Sequence, residues 1–254
     1  MFRSVVSTFF LVNSLCLCAE NFAASKVIDL THTLSEETLV YPGKTPFSRV
    51  ICANCEAGYS LHDISLSTGI GTHMDAPNHF CFGGGMDSVS LSQCFGAGCV
   101  IHLGDKVQND IDYGITRSDI EEWEAMHGLI PAGSLVLFHT GWDRYWGTER
   151  FCEPDAQGVC HFPGISEEAA HLLVERKVGV VGIDAMGIDV GINREYIAHK
   201  ILLGARIPLV ENLAHLRDLP ATGSTVYMLP MKIKDAPEAP IRAMAIMDDK
   251  CSGN

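Results

Sequence analysis

Positive charge is scarce in this chain of 254 residues: 18 lysines and arginines face 31 aspartates and glutamates, a formal net charge of -13 at pH 7. No basic run compensates, since the densest cluster is Lys232-Ile233-Lys234. Nucleic acid and anionic membrane surfaces would repel such a chain, which argues against both as partners. Also missing is an apolar run of the about 20 residues that a retained transmembrane helix needs. The nearest stretch, Val5 to Cys18, is too short and is interrupted by Asn13. Neither an internal repeat nor a Pro/Gly-rich linker divides the sequence, so it reads as one large domain. No second C-x-x-C follows Cys52 and Cys55, which weakens any zinc-ribbon reading of that pair.

What is present is a globular composition, 47% hydrophobic and 19% charged. The first 25 residues differ from the rest. Arg3, the run Val5 to Cys18 and the small residues Ala19, Ala23, Ala24 and Ser25 have the layout of a secretory signal peptide, cut after Ala19 or near Ser25. The expectation is a mature domain over 26–254, exported to the periplasm or secreted. Ten cysteines, eight once Cys16 and Cys18 are removed, suit an oxidising compartment. Cys152 and Cys160 flank a turn-rich stretch and are the pair most readily read as bridged. Cys52 and Cys55 read as a tight disulfide, a redox pair or half a zinc site, with ordinary disulfides or buried thiols as the default.

Periodicity places the elements. A short apolar run opens the mature chain over Lys26–Leu30, and strands are expected over Leu61–Leu66, Cys99–Leu103, Ser134–Thr140, Val180–Asp184, Ile207–Val210, Val226–Leu229 and Ala243–Met247. Helices are expected over Ser118–His127, capped by Ser118 with Glu121 in capping-box position, over the amphipathic stretch Ser166–Lys177, and from an Asn193 cap through Leu203 to Gly204. Strands and helices interleave, which gives a single mixed-sheet α/β domain.

The densest chemistry lies in Gly71-Thr72-His73-Met74-Asp75-Ala76-Pro77-Asn78-His79. Alternate residues of an extended segment share a side, so His73 and Asp75 can aim two ligand atoms at one ion. Pro77 lacks an amide donor and biases Ala76 away from helical angles. His79 then falls just past the turn, near the ion without necessarily binding it, where an imidazole can act as general base or acid. His199, inside a helix, and Glu211, after a strand, can return to the same cleft from distant sequence.

This stretch resembles the signature G-T-H-x-D-x-P-x-H of the metal-dependent cyclase-like hydrolases, among them bacterial kynurenine formamidases and isatin hydrolases. The likeness continues in Val27-Ile28-Asp29-Leu30-Thr31-His32 with Tyr41-Pro42-Gly43, in Thr140-Gly141-Trp142, in Phe162-Pro163-Gly164-Ile165-Ser166, in His199 with Glu211-Asn212-Leu213, and in Pro240-Ile241-Arg242-Ala243. It implies a single domain of the cyclase-like swivelling β/β/α type. It also implies that His73, Asp75, His199 and Glu211 ligate metal, with Asp75 able to bridge two ions, that His79 moves the proton, and that Tyr41 lies against a substrate ring. One departure stands out: the family signature begins with a further ligand histidine four residues before His73, and this chain has Gly69 there.

One or two divalent ions are therefore expected, zinc first and manganese as the other candidate. The reaction implied is hydrolysis of an amide or formamide, with N-formylkynurenine as leading substrate and an isatin-like cyclic amide or a lactone as the alternative. A homologue that binds metal or ligand without catalysis is the remaining reading. The family is commonly oligomeric, so a homodimer or homotetramer is expected.

Overall fold

The structure, a computed structural model, describes residues 25–151 and 154–248. The leader expected over the first 25 residues lies outside them apart from Ser25, as does Cys152 of the expected Cys152–Cys160 bridge.

In chain order the elements are β1 (Ser25–Asp29), β2 (Ser48–Ala53), β3 (Leu61–Ser65), β4 (His73–Asp75), β5 (Phe95–His102), α1 (Gly104–Asn109), β6 (Gly114–Ile115), α2 (Arg117–His127), β7 (Leu135–His139), β8 (Gly164–Ile165), α3 (Glu167–Arg176), β9 (Val180–Ile183), α4 (Ile197–Gly204), β10 (Leu209–Glu211), β11 (Ser224–Pro230) and β12 (Glu238–Asp248). The main sheet runs β12-β11-β5-β7-β9-β10-β4, and β4 pairs back onto β12, so these seven strands close a mixed barrel with β1 added to β12. Pairings along β5, β7, β9 and β10 are parallel; the others are antiparallel.

Side-chain alternation divides the core in two. Val100, Leu135, Leu137, Val180, Val210, Val226, Met228, Ala239, Ile241 and Met74 fill the barrel. Their neighbours Cys99, Ile101, Val136, Phe138, Val181, Ile183 and Leu209 point outward, against Ile120 and Trp123 of α2, Leu172 and Leu173 of α3 and Leu202 and Leu203 of α4. Each such large side chain contributes about 1.5–3 kcal/mol by leaving water. The same parity has a consequence for the polar residues: with Met74, Val210 and Ala239 inside, His73, Asp75, Glu211 and Glu238 must all face outward, beneath α4.

Two helix starts differ from the sequence expectation. Thr116, not Ser118, caps α2: its hydroxyl accepts from the Asp119 amide at 3.2 Å, and Asp119 Oδ2 accepts from the Thr116 amide at 2.7 Å, completing the box two residues earlier. Asn193 does not cap α4, which begins at Ile197; its side chain accepts from the Glu195 amide, and the α4 amides of Ala198 and His199 donate to Asp189 instead. The amphipathic helix α3 starts after Ser166, whose hydroxyl accepts from Ala169, and ends at Lys177 in the left-handed region.

The alternation in Leu61–Leu66 does mark a strand, β3, but it pairs only with β2 in a separate ribbon. Val50, Ile51, Leu61 and Ile64 of that ribbon are exposed. Cys52 and Cys55 are free thiols, with Cys52 Sγ 3.2 Å from Asp63 Oδ2 and Cys55 Sγ 3.4 Å from Ser60 Oγ, so the tight disulfide does not form. Among the described residues no helix is long and apolar enough to cross a membrane.

Candidate metal centre

Strand register builds the site. In the antiparallel pairing of β4 with β10, His73 lies opposite Glu211; in that of β4 with β12, Asp75 lies opposite Glu238. Ala76 is extended, as a residue before proline should be, and Pro77 opens a single tight turn that ends on His79. His199 reaches the cluster from the first turn of α4. The structure thus brings together all five residues expected from the sequence to act on an ion: His73, Asp75, His79, His199 and Glu211.

The two buried imidazoles are fixed by their outer nitrogens. His73 Nδ1 lies 2.8 Å from the Gly71 carbonyl, an acceptor only, so Nδ1 carries the hydrogen and Nε2 turns to the carboxylates. Gly71 can present that carbonyl because it sits at φ +63°, and Asn212, also left-handed at φ +57°, donates its side-chain amide to the same oxygen at 2.8 Å. His199 Nδ1 lies 2.6 Å from Asp189 Oδ2. Inside, His73 Nε2 is 3.5 Å from Asp75 Oδ1 and 3.4 Å from Glu211 Oε2, while His199 Nε2 is 3.4 Å from Asp75 Oδ2 and 3.1 Å from Glu211 Oε1.

Electrostatics follow from that packing. Burial disfavours charge on His73, but the hydrogen bond and charge of Glu211 and the charge of Asp75 together outweigh it and raise its pKa to about 9. His199 is likewise raised well above the ordinary imidazole value: burial opposes, and Asp189, Asp75 and Glu211 prevail. Glu211 is held well below the usual carboxylate range, because the two imidazoles overcome the cost of burying it.

The residues fit a divalent cation. Asp75 is 1% exposed, yet both its carboxylate oxygens lack a hydrogen-bond partner. A buried carboxylate in that condition is costly unless a cation compensates it. Two sets of donor atoms lie mutually within 4.8 Å, His73 with Asp75 and Glu211, and Asp75 with His79 and His199, so Asp75 belongs to both. Imidazole and carboxylate donors suit zinc and also manganese. His79 is therefore close enough to serve as a ligand as well as to move a proton.

Two residues escaped the sequence reading. Glu238 is 6% exposed, and its Oε1 lies 3.9 Å from His73 Nε2 and 3.8 Å from His79 Nε2. Asp189, 4% exposed, caps α4 and orients His199 with one carboxylate. Its position in the acidic, glycine-rich loop after β9 was the available signal. Glu238 had none beyond lying two residues before the Pro240-Ile241-Arg242-Ala243 stretch. A pocket opens onto the cluster, lined among others by Tyr41, Lys44, Gly69, Phe80, Phe162 and Tyr196. Tyr196 takes a left-handed conformation at the start of α4, its ring centroid 5.0 Å from that of Phe80 and 6.0 Å from that of His199.

A closed mixed barrel carrying a buried histidine–carboxylate cluster on its outer face defines the cyclase-like class of metal-dependent hydrolase. The chain belongs to the putative cyclase family, whose sequence model matches residues 28–190. It is 33% identical over 187 residues to an isatin hydrolase of Roseibium aggregatum, covering 70% of this chain and 71% of that one. With a kynurenine formamidase of Geobacillus thermodenitrificans it shares 30% identity over 219 residues, 85% of this chain and 95% of the relative. Among solved structures, isatin hydrolase A from Ralstonia solanacearum superposes with a TM-score of 0.84 at 27% identity, covering 93% of this chain and 100% of that one. A potential metal-dependent hydrolase with cyclase activity superposes at 0.67, with 27% identity over 88% and 98% of the two chains.

Proposed function

We propose that this hydrolase opens the C–N bond of a small aromatic amide, with the donors His73, Asp75, His199 and Glu211 holding a divalent cation. The observation that carries the reading is a buried Asp75 carboxylate, without a hydrogen-bond partner and shared by two sets of imidazole and carboxylate donors, beside a pocket walled by Tyr41, Phe80, Phe162 and Tyr196. When bound, the cation supplies Lewis-acid polarisation of a carbonyl and an acidified water. The chain's own residues do the rest. The four aromatic rings hold the substrate ring, the role that the resemblance implies for Tyr41. His79, on the rim at 23% side-chain exposure, takes a proton from water and returns it to the departing nitrogen. Glu238 Oε1, 3.8 Å from His79 Nε2, steadies the imidazolium formed between those two transfers.

Two substrates fit this reading, each favoured by its own likeness. Isatin, a cyclic aryl amide, follows from the isatin hydrolase at 33% identity and the 0.84 structural match. N-formylkynurenine, an open-chain aryl formamide, follows from the kynurenine formamidases, which align with more of this chain. Both present a carbonyl conjugated to or beside an aromatic ring. The test is turnover of each by protein reconstituted with zinc or manganese, alongside His79→Gln. Hydrolysis of one substrate, reduced by about 10²–10⁴ in the variant at unchanged metal content, is the expected result. No turnover of either substrate or of simple aryl amides would leave a binding protein rather than an enzyme.

A further inference from the structure

The space where residue 69 would project a side chain is filled by an ion pair. A Cβ built on Gly69 would lie 2.6 Å from the carboxyl carbon of Glu238, and would overlap both Glu238 Oε1 and Lys44 Nζ. Lys44 comes from the loop after β1, where its amide closes a turn onto the Tyr41 carbonyl at 3.0 Å, and its ammonium binds Glu238 Oε1 directly. Thr68 Oγ1 donates to the other oxygen, Glu238 Oε2, at 3.3 Å. The pair is part of the cluster rather than a neighbour of it, since Glu238 Oε1 also lies within 4 Å of both His73 Nε2 and His79 Nε2. Among the described residues Lys44 is the one lysine or arginine lining the pocket, and its side chain keeps 28% exposure.

Three features of the chain therefore change together. Residue 69 has no donor atom; the volume in front of it is occupied; and the occupant brings a fixed positive charge into contact with a carboxylate that would otherwise be open to a cation. A compact ammonium so placed repels a second cation and uses one of the oxygens that would bind it. We infer that Lys44 replaces a second metal ion: the chain holds one divalent cation, and the Lys44 ammonium, paired with Glu238 in the space opened by Gly69, supplies the other positive charge facing the substrate's carbonyl oxygen and the product carboxylate. This rests on the metal-hydrolase reading above, and it sets what a ligand placed at residue 69 should do. Histidine at 69 meets an occupied site, so Gly69→His by itself gains no ion while Lys44 remains.

Metal counting tests the inference without turnover. Full-length protein is stripped with chelator, reloaded with manganese or zinc, desalted and measured for bound metal per chain, with calorimetric titration alongside and circular dichroism as the folding control. Wild type and Lys44→Met are each expected to retain one ion, and the pair Gly69→His with Lys44→Met to retain two. Wild type retaining two ions of similar affinity, or the folded double variant retaining only one, would overturn the role of Lys44. Should the double variant not fold, the wild-type count still decides. Lys44→Met supplies a second measure, an expected weakening of inhibition by the carboxylate product of ten-fold or more; unchanged inhibition overturns the assignment. Wild type retaining no ion is a different result, because it removes the metal-hydrolase reading itself.

Discussion

Asp75 and Glu238 are direct cross-strand partners on the outward side of β4 and β12, yet they meet opposite electrostatic fates. Glu238 has a lysine: burial raises its pKa, but Lys44 and the two nearby imidazoles reverse that and keep it ionised. Asp75 has no hydrogen-bond partner on either oxygen and only the two buried imidazoles nearby. Of the two carboxylates, Asp75 is the one whose oxygens a divalent cation would supply with the direct contact they lack.

That contrast predicts the outcome of Asp75→Asn. The amide keeps the shape and removes the charge, so metal retained after desalting should fall to near zero, and chelator should lower the melting temperature of wild type but not that of the variant. Bound-metal analysis and thermal unfolding with and without chelator measure the two halves. Retention of metal at the wild-type level would remove Asp75 from the ligand set.

The local part of this site was legible in the sequence because it depends on chain-local rules. The alternation of His73 and Asp75 follows from strand periodicity, and the break at Pro77 follows from its ring. His199 and Glu211 were read through family likeness, since nothing local says that the first turn of α4 faces β10. Glu238 stayed invisible for a related reason: it matters only through a register that exists after β12 has closed the barrel against β4. The α4 cap was misread because its donor set goes to Asp189, eight residues before the helix begins, while Asn193 offers the ordinary local signal and uses it on Glu195. The ribbon β2–β3 shows the reverse limit, as alternation identified β3 but not the exposure of its apolar residues.

Asp189 orients His199 without reaching the donor cluster, so its loss should separate orientation from ligation. Asp189→Asn retains a side-chain oxygen for the α4 amides but loses the charge held 2.6 Å from His199 Nδ1. Outer partners of this kind change metal affinity by about 10–100-fold, and that loss is the expected result of a competition titration with a coloured chelator. Helix α4 should remain folded by circular dichroism. An affinity equal to wild type would mean that α4 packing alone fixes the ring.

The two readings of the α2 start give different numbers. Thr116→Ala removes the capping hydroxyl and should cost about 1 kcal/mol, within a usual range of about 0.5–2 kcal/mol. Ser118→Ala, at an exposed position inside the first turn, should change stability by no more than about 0.5 kcal/mol. Denaturant unfolding of both variants measures this, and a larger loss from Ser118 would restore the cap to the later residue.

Acid should destabilise the fold through histidines remote from the metal centre. Burial lowers His139 to about 4, with the neighbouring His102 adding to the effect, and burial likewise lowers His32 to about 4, although Asp143 opposes in both cases. His102 and His139 face each other through Nδ1 atoms 2.9 Å apart, while His102 Nε2 lies 3.1 Å from the Leu219 carbonyl. The carbonyl must accept, so His102 Nε2 carries its hydrogen and the neutral pair is completed by His139 Nδ1–H donating to His102 Nδ1. Protonating both rings puts two hydrogens into that one contact. An unfolded chain takes these protons near pH 6.5, whereas the folded chain resists them until about pH 4, so the unfolded state binds more protons between those limits. Stability is then complete above pH 6.5 and falls as the pH drops towards 4. A fully enclosed ring would lose about 1.4 kcal/mol for every tenfold difference in proton affinity between the folded and unfolded states, and these partly exposed rings lose less. Melting temperature followed from pH 7.5 to 4 in the presence of chelator, which removes the metal contribution, should decline through this window. His139→Asn keeps an amide donor near the position of Nδ1 but cannot be protonated there, and should flatten the decline. A variant curve parallel to wild type across the window would place the acid sensitivity elsewhere in the molecule.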